Sequence, residues 1–171
     1  TPSATYSEKA EDWQMNMDRL TRKFNTARNA VPPPVVEKKS DSEIGVIAYG
    51  SSDAAVKEAL VQLQTEAGVE AGYLRLRALP TNDTVRDYLA AHRAVYLVEQ
   101  NRDAQMASIL RAEYPDLAAR IKPVLHYDGM PIHAGFITET ILKQEGKLEP
   151  KKGNNGKLEE IKRGQGVSLI P

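Results

Sequence analysis

Polar side chains in this sequence follow directly on apolar runs that favour β-strands. After the run 94–98, Glu99, Gln100 and Asn101 stand side by side. A carboxylate beside two amides can orient a substrate or cofactor, hydrogen-bond the backbone of its own loop, or face another subunit. The carboxylate lacks a partner acid or histidine in an arrangement typical of general acid–base catalysis. We therefore expect an interface or structural role rather than a catalytic one.

A second polar cluster, Gly50, Ser51 and Ser52, lies between the apolar run 44–49 and a helical pattern. The first N–H groups of a helix lack intrahelical partners and favour negative charge, so this cluster could hold an anion. In the other interpretation, Ser52 or Asp53 caps the helix and Gly50 makes the turn. Capping is favoured because the segment lacks the G-x-G-x-x-G and Walker signatures. A stand-alone anion- or nucleotide-binding module is the corresponding alternative function.

The elements that position these clusters alternate along the chain. Apolar runs predict strands at 44–49, 71–79, 94–100 and 122–128, and periodic patterns predict helices at 53–66, 82–92, 104–113 and 134–144. This alternation predicts an open, mostly parallel, three-layer α/β/α sheet. Parallel strands end at one edge of a sheet, where such folds bind ligands and neighbours. The candidate residues at this edge are Gly50, Ser51, Ser52, Glu99, Gln100, Asn101, Asp128 and Gly129.

The ends of the chain differ from this α/β domain, predicted at 43–147. Residues 1–31 carry a helical stripe whose members are spaced four and three apart: Trp13, Met17, Leu20, Phe24, Ala27 and Val31. Leaving such a stripe in water is costly, so it should meet the α/β domain or another part of a complex. Prolines then predict a stiff linker at 32–42. Residues 148–171, rich in lysine and glycine, predict a flexible tail, with 167–171 as a docking segment.

Composition narrows the function classes. The 171 residues suffice for one sizeable core, and the 23 basic residues equal the 23 acidic residues, so no global field favours nucleic acid or an anionic membrane. There is no cysteine, and the three histidines lack metal-ligand spacing. No apolar run approaches the roughly 18 residues of a membrane span, so we expect a cytoplasmic protein. The start without methionine predicts a processed product or a fragment.

Five segments in order carry a family resemblance: 19–37, 44–60, 73–80, 95–106 and 126–132. They include VYLVEQNRDAQM and HYDGMPI. Together they resemble the C-terminal part of the alpha subunit of 2-oxoacid:ferredoxin oxidoreductases, and among these the 2-oxoglutarate (KorA-type) branch is the best match. The resemblance covers about residues 5 to 145 and leaves out the tail.

The resemblance implies a domain similar to the transketolase C-terminal domain, with about five strands and an edge strand that can run antiparallel. It also implies two partners: a preceding pyrimidine-binding part of the alpha subunit, and a beta subunit that holds thiamine diphosphate, Mg and a [4Fe-4S] cluster. The family converts a 2-oxoacid and CoA to an acyl-CoA and CO2 and reduces ferredoxin. This chain alone would bind no cofactor, and its polar edge would serve assembly near the thiamine site.

One position departs from the family pattern. Ala104 stands where the resembling sequences have glycine in the run Q-N-R-D-G-Q, and alanine disfavours a left-handed turn. A further alternative function is a pure interaction scaffold built on the Trp13 stripe and the tail segment 167–171.

Overall fold

The computed structural model describes residues 1, 3–37 and 42–148. The predicted tail from 149 onward and part of the predicted linker therefore lie outside the described residues. The helices are α1 (Ala10–Ala27), α2 (Asp53–Ala67), α3 (Asp83–Ala91), α4 (Gln105–Glu113) and α5 (Ala134–Gln144). The strands are β1 (Val35–Val36), β2 (Ile44–Tyr49), β3 (Ala71–Leu76), β4 (Ala94–Glu99) and β5 (Ile121–Leu125). Short 3-10 turns cover Gly50–Ser52 and Pro115–Arg120.

One sheet has the strand order β1-β3-β2-β4-β5. Strands β3, β2, β4 and β5 run parallel, and only β1 is antiparallel, pairing Val35 with Arg75. The predicted open, mostly parallel α/β/α class is confirmed. The five strands and the antiparallel edge strand that the resemblance implies are therefore present. Periodicity did not locate β1 within the linker, because two valines between prolines and charged residues are too short to show a strand period.

Three strands end earlier than predicted for one common reason. β2 ends at Tyr49, whose partner is Leu76, so the predicted continuation of β3 to residue 79 has no neighbour to pair with. β4 ends at Glu99, whose partner is Leu125, and the predicted strand ends at 100 and 128 lie beyond this last pair. Strand length here is set by the ladder and not by the local apolar run.

Helices cover both faces of the sheet. α2 and α5 pack on one face, where Val56, Leu63 and Ile137 are fully buried, and α3 and α4 pack on the other. The strand residues alternate between the two cores, as in Val46 on the first and Ile47 on the second. Because both faces are covered, β4 is buried along its whole length.

Helix α1 lies apart from these layers and has no buried residue. Trp13 and Phe24 are 67% and 59% exposed. Its C-terminal end is tied to the domain through Arg28, which donates to the Thr81 carbonyl at 2.6 Å and pairs with Glu113. The α/β domain therefore does not cover the predicted apolar stripe. Among the described helices, none is both long and apolar enough to cross a membrane.

Candidate functional site at the strand switch point

The polar edge is centred on the point where the strand order reverses. β2 and β4 are neighbours, yet the helices that follow them, α2 and α4, lie on opposite faces of the sheet. In open α/β sheets, ligands usually bind outside the strand ends at such a point. The two predicted clusters, at 50–52 and 99–101, flank this point.

Glu99 is the most deeply buried polar residue of this edge, with 0% of its side chain exposed. Its carboxylate accepts hydrogen bonds from the backbone N–H groups of Met106 at 2.8 Å and Ala107 at 2.9 Å. These belong to the first turn of α4, which has no side-chain cap of its own. The negative charge thus lies at the positive end of the helix dipole and satisfies its unpaired donors. Glu99 caps α4 from the preceding strand.

Asn101 completes the loop. Its Nδ2 donates to Glu99 at 2.7 Å, and its Oδ1 accepts from the N–H groups of Asp103 and Gln105. Between these contacts Ala104 adopts φ 50° and ψ 47°, which is the left-handed conformation. The turn expected for glycine is therefore present with alanine, at a cost of about 1–2 kcal/mol. The surrounding hydrogen bonds hold the strained residue in place.

The tyrosine at the end of β2 connects the two loops. The Tyr49 hydroxyl donates to Glu99 at 3.4 Å. Burial, together with the charge of Glu99 and the hydrogen bond to it, raises the pKa of Tyr49 above its ordinary value. The hydroxyl is therefore held in its neutral, donating form beside the buried carboxylate.

The Gly50 cluster is joined to the β4 loop by Gln100. Gly50 has φ 60°, and Gln100 Nε2 lies 3.2 Å from the hydroxyl oxygens of both Ser51 and Ser52. One part of the capping interpretation is confirmed, because Gly50 makes the turn, whereas the other part is wrong for Ser52, which lies at the N-cap position but makes no side-chain cap hydrogen bond. Asp53 instead accepts from the Tyr73 hydroxyl at 2.7 Å, which is the main reason that the pKa of Asp53 is lowered.

The loop after β5 forms the third part of the edge. The His126 N–H donates to the Glu99 carbonyl at 2.9 Å, and Asp128 accepts from the Met130 N–H at 2.9 Å. A groove of about 310 Å³ lies here, lined by Gln100, His126, Tyr127, Gly129 and Met130. Tyr127 and Met130 are 66% and 67% exposed.

All eight predicted candidates therefore lie along one edge. The side chains of Glu99 and Asn101 hydrogen-bond the β4 loop, the start of α4 and Tyr49, whereas Gln100 and Gly129 line the groove. Sequence reasoning did not single out Tyr127 as part of this edge, although an aromatic residue just beyond a strand end was the available signal. After β3, which runs parallel to β2, Thr81 borders a different groove together with Phe24 of α1. Among the described residues, no group of three or more acidic or histidine side chains is placed to hold a metal ion.

The architecture is shared with solved proteins. The 2-oxoglutarate:ferredoxin oxidoreductase from Magnetococcus marinus, solved with 2-oxoglutarate, coenzyme A and succinyl-CoA bound, matches 81% of this chain with a TM-score of 0.69 and 20% identity. A split-gene transketolase, in an inactive beta4 tetramer, matches 66% of it with a TM-score of 0.55 and 17% identity. These matches cover 24% and 42% of those chains, so the chain spans about a quarter of the oxidoreductase.

No protein-family model matches the chain, and no curated protein matches it. At 20% and 17% identity, these structural similarities show a shared architecture alone. The chain has an open α/β/α fold shared with part of a 2-oxoglutarate:ferredoxin oxidoreductase and part of a transketolase.

Proposed function

We propose that this chain is the C-terminal, transketolase-like domain of the alpha subunit of a 2-oxoglutarate:ferredoxin oxidoreductase. The observation that carries the proposal is the match of 81% of the chain to such an enzyme. The resemblance carried by the five ordered sequence segments supports it as well. In this role the assembled enzyme converts 2-oxoglutarate and CoA to succinyl-CoA and CO2 and passes two electrons to ferredoxin.

The geometry of the edge favours an assembly role for this domain. Glu99, the only fully buried carboxylate among the described residues, accepts hydrogen bonds from two backbone N–H groups, an amide and a hydroxyl. A carboxylate engaged in this way holds a loop in one shape. The large side chains that this edge exposes to solvent are Tyr127 and Met130, and both residue types are enriched at protein interfaces.

The cofactors of the proposed enzyme would be held mainly by its other parts. The chain has no cysteine, so the thiolate ligands of a [4Fe-4S] cluster would come from another chain. Thiamine diphosphate and Mg would sit between the pyrimidine-binding part of the alpha subunit and the beta subunit. The edge formed by the loops after β2, β4 and β5 would then dock beside that site, in a cytoplasmic complex.

Co-purification tests the assembly role. The full chain is mixed with a tagged beta subunit and the pyrimidine-binding part of an alpha subunit, and the retained fraction is measured. We expect Met130→Asp to weaken retention at least tenfold, because a charge replaces an exposed apolar side chain at the proposed contact. Val61→Asp is the matched control, since Val61 is 60% exposed on α2, away from the edge. Failure of the folded wild-type chain to be retained would overturn the proposal, as would equal retention of both variants.

A further inference from the structure

Helix α1 exposes a continuous apolar stripe that the rest of the described chain does not cover. Trp13, Met17, Leu20 and Phe24 lie on one side of the helix, because steps of four, three and four residues return to the same face. They are 67%, 38%, 37% and 59% exposed. The same spacing is that of the a and d positions of a coiled coil. The stripe is therefore shaped to receive another helix.

The charges of α1 are divided between its two halves. Residues 10–18 contain Glu11, Asp12 and Asp18 and no basic residue, and residues 19–27 contain Arg19, Arg22 and Lys23 and no acidic residue. This division suits the dipole of the helix itself. It also makes the helix complementary to its own antiparallel copy, because each acidic half would then face a basic half.

The stripe has the same symmetry as the charges. The midpoint of α1 lies between residues 18 and 19. A two-fold axis at this point places Met17 opposite Leu20 and Trp13 opposite Phe24. In an antiparallel pair, a positions face d positions, and these two layers have that composition. Full overlap of the two helices, the pairing of the apolar layers and the charge division therefore all correspond to the same register.

A groove beside Phe24 offers space for the largest side chain of the stripe. It has a volume of about 280 Å³ and is lined by Phe24, Arg28, Leu79, Pro80, Thr81, Ile109 and Glu113. Leu79 and Ile109 are themselves 42% and 46% exposed. A cavity of about 150 Å³ already admits benzene, so this groove can take an aromatic ring.

We propose that α1 pairs antiparallel with α1 of a second copy of this chain, so that Trp13 of each copy enters the groove beside Phe24 of the other. The contact is isologous, with the same surface used on both sides. It involves neither the polar edge at the switch point nor any companion subunit. Its failure would leave the proposed enzymatic role untouched.

Sedimentation of the full chain over a concentration series tests the pairing. We expect the mass to rise from the chain mass of 18.9 kDa toward twice that value. Met17→Asp should keep the chain monomeric at every concentration. Met15→Asp is the matched control, because Met15 is similarly exposed at 42% but lies on the opposite side of the helix, and it should dimerise like the wild type. Circular dichroism of both variants verifies the fold.

Cross-linking tests the orientation. The chain has no cysteine, so Met17→Cys and Leu20→Cys give single reactive positions. In a mixture of the two variants, a short thiol cross-linker should join Met17→Cys to Leu20→Cys at least several-fold more than it joins Met17→Cys to itself. A folded chain that stays monomeric would overturn the proposal, as would a dimer that survives Met17→Asp or a dominant Met17→Cys self-product. If a companion subunit covers the stripe instead, the isolated folded chain stays monomeric, which is the first of these outcomes.

Discussion

The loop after β4 buries a charged group that prefers water, whereas helix α1 exposes apolar side chains that prefer burial. The loop buries a charged carboxylate, and every contact that stabilises Glu99 comes from within the chain. Helix α1 keeps its large apolar side chains in water, and its link to the domain runs through Arg28 at one end. The loop is thus complete as a local structure, whereas α1 is suited to a partner. The difference separates residues that set stability from residues that set association.

Removing the carboxylate should have the largest effect on stability. In Glu99→Ala the N–H groups of Met106 and Ala107 and the amide of Asn101 lose their acceptor in a buried site. We expect the free energy of unfolding to fall by about 3–5 kcal/mol, measured by urea unfolding. Glu66→Ala, at an exposed position of α2, is the control and should stay within about 0.5 kcal/mol. A loss below about 1 kcal/mol for Glu99→Ala would show that the loop does not depend on its carboxylate.

A pair of leucines compares the two regions with the same chemical change. Leu97 in β4 is 0% exposed and Leu20 in α1 is 37% exposed. Leu97→Ala should lower the free energy of unfolding by about 2–5 kcal/mol. Leu20→Ala should lower it by less than about 1 kcal/mol at protein concentrations where the chain is monomeric. Similar losses at the two positions would mean that α1 is packed into the domain.

The strained turn at Ala104 predicts that glycine at this position stabilises the chain. Ala104→Gly should raise the free energy of unfolding by about 0.5–1 kcal/mol, because glycine adopts φ near +50° without the strain of a Cβ. Ala112→Gly in α4 is the opposite-sign control and should lower it by about 0.5–1 kcal/mol. Destabilisation by both changes would indicate that the left-handed conformation at residue 104 carries no strain.

The smallest expected effect is a change in the pKa of Asp53, a carboxylate that is partly exposed, unlike Glu99. The Tyr73 hydroxyl is the main cause that lowers the pKa of Asp53 below 3.8. Since the folded pKa lies below the unfolded one, the contribution to stability is present above the unfolded pKa and is lost as the pH falls through the folded pKa. Tyr73→Phe should raise the pKa of Asp53, measured by NMR titration of the carboxyl carbon. Tyr127→Phe should not change it, and an equal shift in both variants would assign the effect to another cause.

The sequence predicted most of the fold but less of the site. The apolar pattern located β2, α2 and α5 to within a residue, because α2 and α5 each bury one helical face and β2 is a continuous apolar run buried on both sides. It missed β1, whose two residues are a strand only because β3 lies beside them. Ser7, a residue type common at helix starts, does not cap α1, because its hydroxyl donates to Asp12 and the helix begins at Ala10.

The role of Glu99 lay beyond local reasoning. The carboxylate is seven and eight residues from the N–H groups that it accepts, and the closed loop between them brings it there. A signal did exist: α4 begins after Ala104, which cannot cap a helix, while an acid ends the preceding strand. A helix start that lacks its own cap can be capped from the neighbouring strand end.

The rate of ferredoxin reduction in a reconstituted mixture tests the proposed function most directly. The mixture contains this chain, the pyrimidine-binding part of the alpha subunit, the loaded beta subunit, CoA and oxidised ferredoxin. Adding 2-oxoglutarate should reduce ferredoxin and form succinyl-CoA, at a rate that depends on this chain and falls at least tenfold with Met130→Asp. If all components are folded and associated but no 2-oxoglutarate-dependent reduction occurs, or if the rate is unchanged when this chain is left out, the proposed function is contradicted.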